Sequence, residues 1–384
     1  MYFMLLAFEP CGDIMLNFFK KPYVYAVCIS LLLISLLTWS LLDVFIIQKT
    51  MESSEMEIMD FSKFTVAQSP NTLPPLEPWP MDPLPSETQS QETMDGSVIT
   101  LAPSENESLK EPADNEDVTD PPSNEREEAT TPPAVEYPII TENSYADENI
   151  RIQITTIRRF DSDIHVAEVR LSSLSYLKTA FANDEFGLNI KEKTSSQAKR
   201  VGAIFAVNGD FYGANKEGYV IRNGILYRDS IRNSKFDDLA ILYDGSFVSF
   251  YERDVALRDL LHKQGAMQVF AFGPTLLKDG EIAVDTDTEV GVAHHTAGNP
   301  RTVIGIVEPL HYFFVVADGR TAESFGPTLH QMAQIMQELG CAMAYNLDGG
   351  GSATMYFNGE VINRPTTDGD IHERSVSDIV YIGY

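Results

Sequence analysis

The 384-residue chain sets 28 Lys plus Arg against 56 Asp plus Glu, a net charge of −28. That balance excludes a nucleic-acid scaffold, since a surface without a basic face repels phosphate. The 43% hydrophobic fraction can fill a sizeable core, whereas Cys11, Cys28 and Cys341 are too few and too scattered for a disulfide framework or a cysteine-based zinc site.

In chain order, the first predicted element is a transmembrane anchor over residues 23–47, preceded by a cytoplasmic N-terminus, 1–22. Tyr23 to Leu42 is a run of 20 residues without charge, and about 20 apolar residues at ~1.5 Å each cross a ~30 Å hydrocarbon core. The competing reading is a cleavable signal peptide. Its apolar region would end after about 7–15 residues at a small-residue cleavage site, whereas this chain stays largely apolar to Ile47. Lys20 and Lys21 before the span place the N-terminus in the cytoplasm. The expected protein is therefore a single-pass cell-membrane protein with an extracytoplasmic C-terminal domain.

Residues 48–148 read as a disordered acidic linker. Between Met51 and Glu148 lie 23 acidic residues, three basic ones and 14 of the 21 prolines. Like charges repel, proline removes backbone donors, and apolar side chains are too sparse to offset the entropy of ordering.

From residue 149 to 384 the composition is that of a folded domain. Asn223-Gly224, Asp244-Gly245, Asp279-Gly280 and Asn358-Gly359 each lie between β-forming runs and predict four hairpins. Ala203–Val207, Val303–Val307 and Tyr312–Ala317 are apolar throughout, as buried central strands are. A helix is predicted over Thr328–Leu339, with Leu329, Met332, Ala333, Met336 and Leu339 at helical spacing and Gly340 just past its end. A weaker one covers Ser195–Arg200. The expected class is α+β: one mixed, hairpin-rich β-sheet domain with packed helices and mainly antiparallel pairing.

The residues that can carry chemistry fall where predicted strands end. Asn346-Leu347-Asp348-Gly349-Gly350-Gly351-Ser352 follows a strand, and three successive glycines suit either a flexible turn or a backbone that a ligand approaches closely. Asp348 offers a base or nucleophile, and the glycine amides beside Ser352 offer donors to phosphate oxygens. Asn208 and Asp210 sit at the exit of another strand. Arg301 precedes a third, and its planar fork suits phosphate or carboxylate. Asp318-Gly319-Arg320 closes the next. His294 and His295 have no metal-ligand spacing, and Asp285-x-Asp287-x-Glu289 lacks the glycine and terminal glutamate of a calcium loop. No metal or cofactor is expected.

Asn208-Gly-Asp-Phe-Tyr212, Phe272-Gly-Pro274, Pro300-Arg-Thr302, Asp318-Gly-Arg320 and, after the helix, Asn346 to Ser352 together resemble the phosphodiester glycosidase family. The resemblance covers roughly Ile150 to Tyr384 and leaves out the anchor and linker. It implies hydrolysis of a sugar-1-phosphodiester at the anomeric C–O bond of a surface or exopolysaccharide glycan. Asp348 would activate water or attack the sugar, with Asp318 as second carboxylate. Arg301, Arg374, Gly349, Gly350 and Gly351 would hold the phosphate, with Asn208 and Ser352 also binding substrate. Two positions depart from the family pattern, Asp210 standing where glycine is usual and Gln331 where glutamate is common. They keep open a non-catalytic glycan-binding module; a second alternative is a transfer factor in cell-wall or exopolysaccharide biosynthesis, in which the same pocket transfers rather than hydrolyses.

Overall fold

The computed structural model describes residues 22–45, 47–50, 57–64, 137–290 and 298–384. Residues 75–136 separate from the rest as a second unit and lie, with most of the expected linker, outside the described residues. His294 and His295 lie outside them too.

Pro22–Phe45 is a 24-residue helix, and its described side chains, 26–40 and 42, are all exposed. Among the described residues no helix is long and apolar enough to cross a membrane.

The four Asn-Gly and Asp-Gly hairpins all form. Lys278 pairs with Glu281, Arg222 with Ile225, Ile241 with Phe247 and Phe357 with Glu360. Asn223-Gly224 and Asp279-Gly280 put two successive residues at positive φ, the backbone that two-residue hairpins need.

The expected single mixed sheet is corrected in two ways. All strand pairs among the described residues are antiparallel, and they make three large sheets of nine, six and five strands besides small two-stranded ones. The reason is burial on several faces. Ile150, Ile304 and Phe314 of the nine-stranded sheet, Phe205, Met355 and Val380 of the five-stranded one, and Leu239 and Phe270 of the six-stranded one share one core. The outer faces of the two smaller sheets carry cores of their own, closed by the seven-residue helices Thr194–Arg200 and Leu257–Lys263. Helix content is thus small, and the protein is mostly β-sheet.

The helix Leu329–Glu338 packs on the strands Thr275–Lys278 and Met343–Asn346. Thr328 and Gln331 close its N-terminus reciprocally: the Thr328 hydroxyl accepts from Gln331 N–H at 3.2 Å, and Gln331 Oε1 accepts from Thr328 N–H at 2.9 Å. Glutamine serves this cap as glutamate would, so the departure at Gln331 concerns helix closure rather than chemistry.

The domain boundary at residue 149 is also corrected. Ile139–Ile140 and Ser144–Ala146 extend the nine-stranded sheet, while Glu57–Ile58 extends the six-stranded one and Met59 is 2% exposed within its outer core. A domain cut at residue 149 is therefore expected to unfold at lower temperature than one retaining 47–64 and 137–148. Losing the Met59 side chain alone costs roughly 1.5–3 kcal/mol. Thermal unfolding of the two purified forms checks this; equal midpoints would show that these segments contribute nothing.

Candidate active site

The recognised motifs meet at one end of the sheets because each follows or precedes a strand that ends there. Arg301 starts Arg301–Glu308, Asn346 ends Met343–Asn346, Asn208 ends Phe205–Asn208, and Asp318 follows His311–Ala317. Ladder register brings them together: Arg301 faces Ala317, and Val303 faces Asn346. A cleft of about 180 Å³ opens there, lined by Arg301, Arg320, Arg374, Asn346, Asp348, Gly349 and Gly350, with Phe272, Val290 and Asn299 at its sides.

Backbone demands two of the glycines: a Cβ on Gly349 would stand 2.7 Å from the Pro300 carbonyl oxygen, and Gly350 adopts positive φ. Gly350 has φ +58°, and a Cβ on it would stand 2.9 Å from the Arg320 guanidinium; one on Gly351 would stand 2.8 Å from that of Arg374. Both arginines therefore approach a bare backbone.

Asp348 is half-buried. Burial pushes its carboxyl up to about 6, against the Ser352 hydroxyl, Arg374 and the Gly349 amide, which favour the charged form. Asn208, fully buried, fixes the loop: its Nδ2 donates to the Asp348 carbonyl at 2.6 Å, and its Oδ1 accepts from the Thr302 hydroxyl at 2.8 Å and Thr354 N–H at 3.2 Å.

Of the residues singled out in the sequence, Asp348, Arg301, Arg374, Gly349 and Gly350 line the cleft, and Asn208, Gly351, Ser352 and Asp318 do not. Asn208 and Ser352 brace Asp348 from behind. The Gly350 N–H donates to the Pro300 carbonyl at 2.8 Å, so this amide is not directed at a ligand. Asp318 Oδ1 accepts from Asn363 Nδ2 at 3.1 Å and Arg364 N–H at 3.0 Å, and Oδ2 faces His165 Nε2 at 3.4 Å. Both its oxygens are committed in a buried position, which corrects its assignment as a second reacting carboxylate.

Arg320 and Asn346, which line the cleft, and Glu289, which does not, were not among the expected site residues. Arg320, at φ +63°, is held by a 3.0 Å bond to Asn299; burial and the neighbouring Arg374 and Arg301 charges disfavour its protonated form. Its place in the Asp-Gly-Arg motif was the available signal. Asn346 donates to the Gly273 carbonyl at 2.9 Å, while its buried Oδ1 has no partner among the described residues. Glu289, from the acidic loop, binds Arg301 Nη2 at 2.6 Å, and Arg301 Nε donates to the Pro327 carbonyl at 3.1 Å. Glu289 thus occupies an edge of the fork that an anionic ligand would use. Glu289→Gln is expected to tighten inorganic phosphate binding severalfold, since a charge-assisted competitor is removed; titration calorimetry measures it, and unchanged affinity would place Glu289 off the phosphate path.

No group of three or more metal-ligating side chains occurs among the described residues. A larger cavity of about 450 Å³, lined by Leu174, Leu177, Met267 and Leu310 among others, lies near the far end of strand Arg301–Glu308, about 20 Å or more away along eight residues. It contains none of the recognised motifs.

Beneath the loop, Asp210 replaces the usual glycine and bonds the buried Arg222 at 3.0 Å, which also bonds Asp378 at 2.8 Å. The departure at Asp210 thus has a structural partner.

Residues 201–383 match the family profile described as phosphodiester glycosidase. An uncharacterized SPbeta prophage-derived protein of Bacillus subtilis is 31% identical over 205 residues, 52% of this chain and 31% of its own length. The mouse N-acetylglucosamine-1-phosphodiester alpha-N-acetylglucosaminidase is 28% identical over 180 residues, 43% of this chain and 34% of its own. This chain therefore spans about a third of the length of these relatives. The solved catalytic domain of the zebrafish N-acetylglucosamine-1-phosphodiester alpha-N-acetylglucosaminidase, auto-inhibited by its pro-peptide, superposes with a TM-score of 0.49 at 24% identity, covering 61% of this chain and 83% of that one. The resemblance carried by the five motifs and Arg374 thus stands: residues 201–383 match the phosphodiester glycosidase family.

Proposed function

We propose that this protein hydrolyses a sugar-1-phosphodiester, releasing free sugar and leaving a phosphomonoester on the other partner. The observation that carries the reading is the convergence of Arg301, Arg320 and Arg374 around one carboxylate, Asp348, in a single cleft. Guanidinium forks match phosphate oxygens, and the partnerless Asn346 Oδ1 suits a sugar hydroxyl as donor.

In the proposed step, the Asp348 carboxylate takes a proton from water as the water oxygen bonds to the anomeric carbon. The bond from that carbon to the phosphate oxygen breaks, and its electron pair leaves with the phosphate. A phosphomonoester is a stable anion, so its departure needs cations more than a general acid. Arg320 and Arg374 supply them. This fits a cleft in which Asp348 is the one lining carboxylate among the described residues. The proton on Asp348 then returns to solvent.

The surface or exopolysaccharide glycan as substrate belongs to the same proposal, as does anchoring of the protein in the cell membrane with its domain outside. The charge-free run Tyr23–Leu42 behind Lys20 and Lys21 supports the anchor. The substrate test uses the purified protein with sugar-1-phosphodiesters, among them those of N-acetylglucosamine, with the sugar product quantified. Free sugar formed with water alone is the expected result. Sugar transfer only when an acceptor is added would make the protein a transferase, and saturable binding without turnover a glycan-binding module.

A further inference from the structure

The acidic segment 65–136 has the composition of a stalk: 16 acidic residues, two basic ones and 13 prolines. A stalk carries its domain only through the covalent chain, and one cut releases it. What precedes the segment argues otherwise.

Residues 47–50 and 57–64, between the N-terminal helix and the acidic segment, touch the domain repeatedly. Lys49–Thr50 pairs antiparallel with Gly187–Leu188, and Asn189 Nδ2 donates to the Ile47 carbonyl at 3.3 Å. Glu57–Ile58 adds an edge strand by pairing with Ile225–Leu226. Met59 N–H donates to the Gly224 carbonyl at 2.9 Å, and the Met59 side chain is buried in the core formed by Leu226, Leu257 and Leu260. Glu57 pairs with Arg258 and faces His262 at 3.4 Å. The Phe64 ring lies against Gly265 and 6.0 Å from the Tyr243 ring. Beyond the acidic segment the chain rejoins the same folded unit at Ile139–Ile140, paired with Tyr145 and Ala146.

Both ends of 65–136 are therefore fixed to one body. We infer that residues 47–50 and 57–64 strap the C-terminal domain to the N-terminal helix without the covalent link, so that cleavage within 65–136 nicks the protein and does not release the domain. Strand addition at an exposed edge gives affinity through main-chain hydrogen bonds, with side-chain pockets adding specificity; here Met59 and Phe64 fill the pockets.

The test uses the full chain in detergent, with one recognition sequence for a specific protease inserted after Thr100 and cut to completion. The readout requires neither turnover nor a membrane, so it stands apart from the proposed hydrolysis. On size exclusion the two fragments of the wild type are expected to elute as one peak in equal amounts. An excess of a peptide of residues 47–64 should displace the N-terminal fragment from the cut protein and leave the uncut protein unchanged. Met59→Asp, which places a charge in the apolar core, should separate the fragments after cleavage; its uncut form is compared by thermal unfolding to show that the domain remains folded. Separate elution of the wild-type fragments, or failure of excess peptide to displace the N-terminal one, overturns the strap.

Discussion

Replacing Asp348 by asparagine is expected to lower turnover about 10²–10⁴-fold, the range for loss of a positioned proton acceptor. The fold should not suffer. Burial raises this carboxyl to about 6 in the folded protein, against about 3.9 in an unfolded chain. Between those values the native state holds a proton that the unfolded state has lost, so acidification through about 6 stabilises the wild type and raising the pH removes that contribution. Activity runs the other way: hydrolysis needs the carboxylate, and below about pH 6 the rate should fall about tenfold per unit. The asparagine side chain of the variant titrates nowhere in this range. At neutral pH its stability should equal the wild type's or exceed it by roughly 1 kcal/mol, the cost of a buried charge being gone. Sugar-release kinetics with thermal unfolding, both followed against pH, checks the pair. Unchanged turnover in Asp348→Asn would reduce Asp348 to a turn residue.

The largest expected loss of stability comes from Arg222→Leu. The guanidinium is 2% exposed, bridges Asp210 at 3.0 Å and Asp378 at 2.8 Å, and lies 4.6 Å from the centre of the Phe270 ring. Removing it strands two buried carboxylates, which costs about 3–5 kcal/mol. Those carboxyls would then resist ionisation in the native state, so the variant should regain stability as the pH falls and lose it as the pH rises. Asp378 already shows the tendency: burial, with Asp210 nearby, raises its carboxyl despite Arg222. Adding Asp378→Asn to Arg222→Leu should recover part of the loss. Urea denaturation at several pH values measures both. A loss under about 1 kcal/mol would mean that the cluster is solvated in the native state.

These two outcomes separate chemistry from scaffold in neighbouring carboxylates. Asp348 faces the cleft and Asp378 does not. Gly209 connects the two sites: a Cβ there would stand 2.3 Å from Asp378 Oδ1, and its neighbour Asn208 holds the Asp348 carbonyl. Loss of Arg222 should therefore also loosen the loop that carries Asp348.

The sequence by itself determined the features whose physics is local. Asn-Gly and Asp-Gly dictate a tight turn through backbone preference alone, and all four hairpins form. Helical spacing and Gly340 were enough for the helix Leu329–Glu338. The residue types of the cleft were legible too, since motifs at strand ends converge once the strands pair.

Only the tertiary structure decided the rest. The longest hairpin, Ile150–Arg159 with Ser162–Leu171, turns through Phe160 and Asp161, both at positive φ, without the glycine that marks the others. The helix Leu257–Lys263 is two turns long, too short for periodicity to announce it. Averaged composition made residues 48–64 part of a solvated linker, because two-residue strands and one buried methionine barely alter an average. At the site, spacing along the chain carried no information on side-chain direction. Asp318 and Asn208 turn into the protein while Arg320 turns into the cleft, and Glu289 reaches Arg301 from twelve residues upstream. Such directions are set by which buried donors and acceptors remain to be satisfied after the sheets have packed.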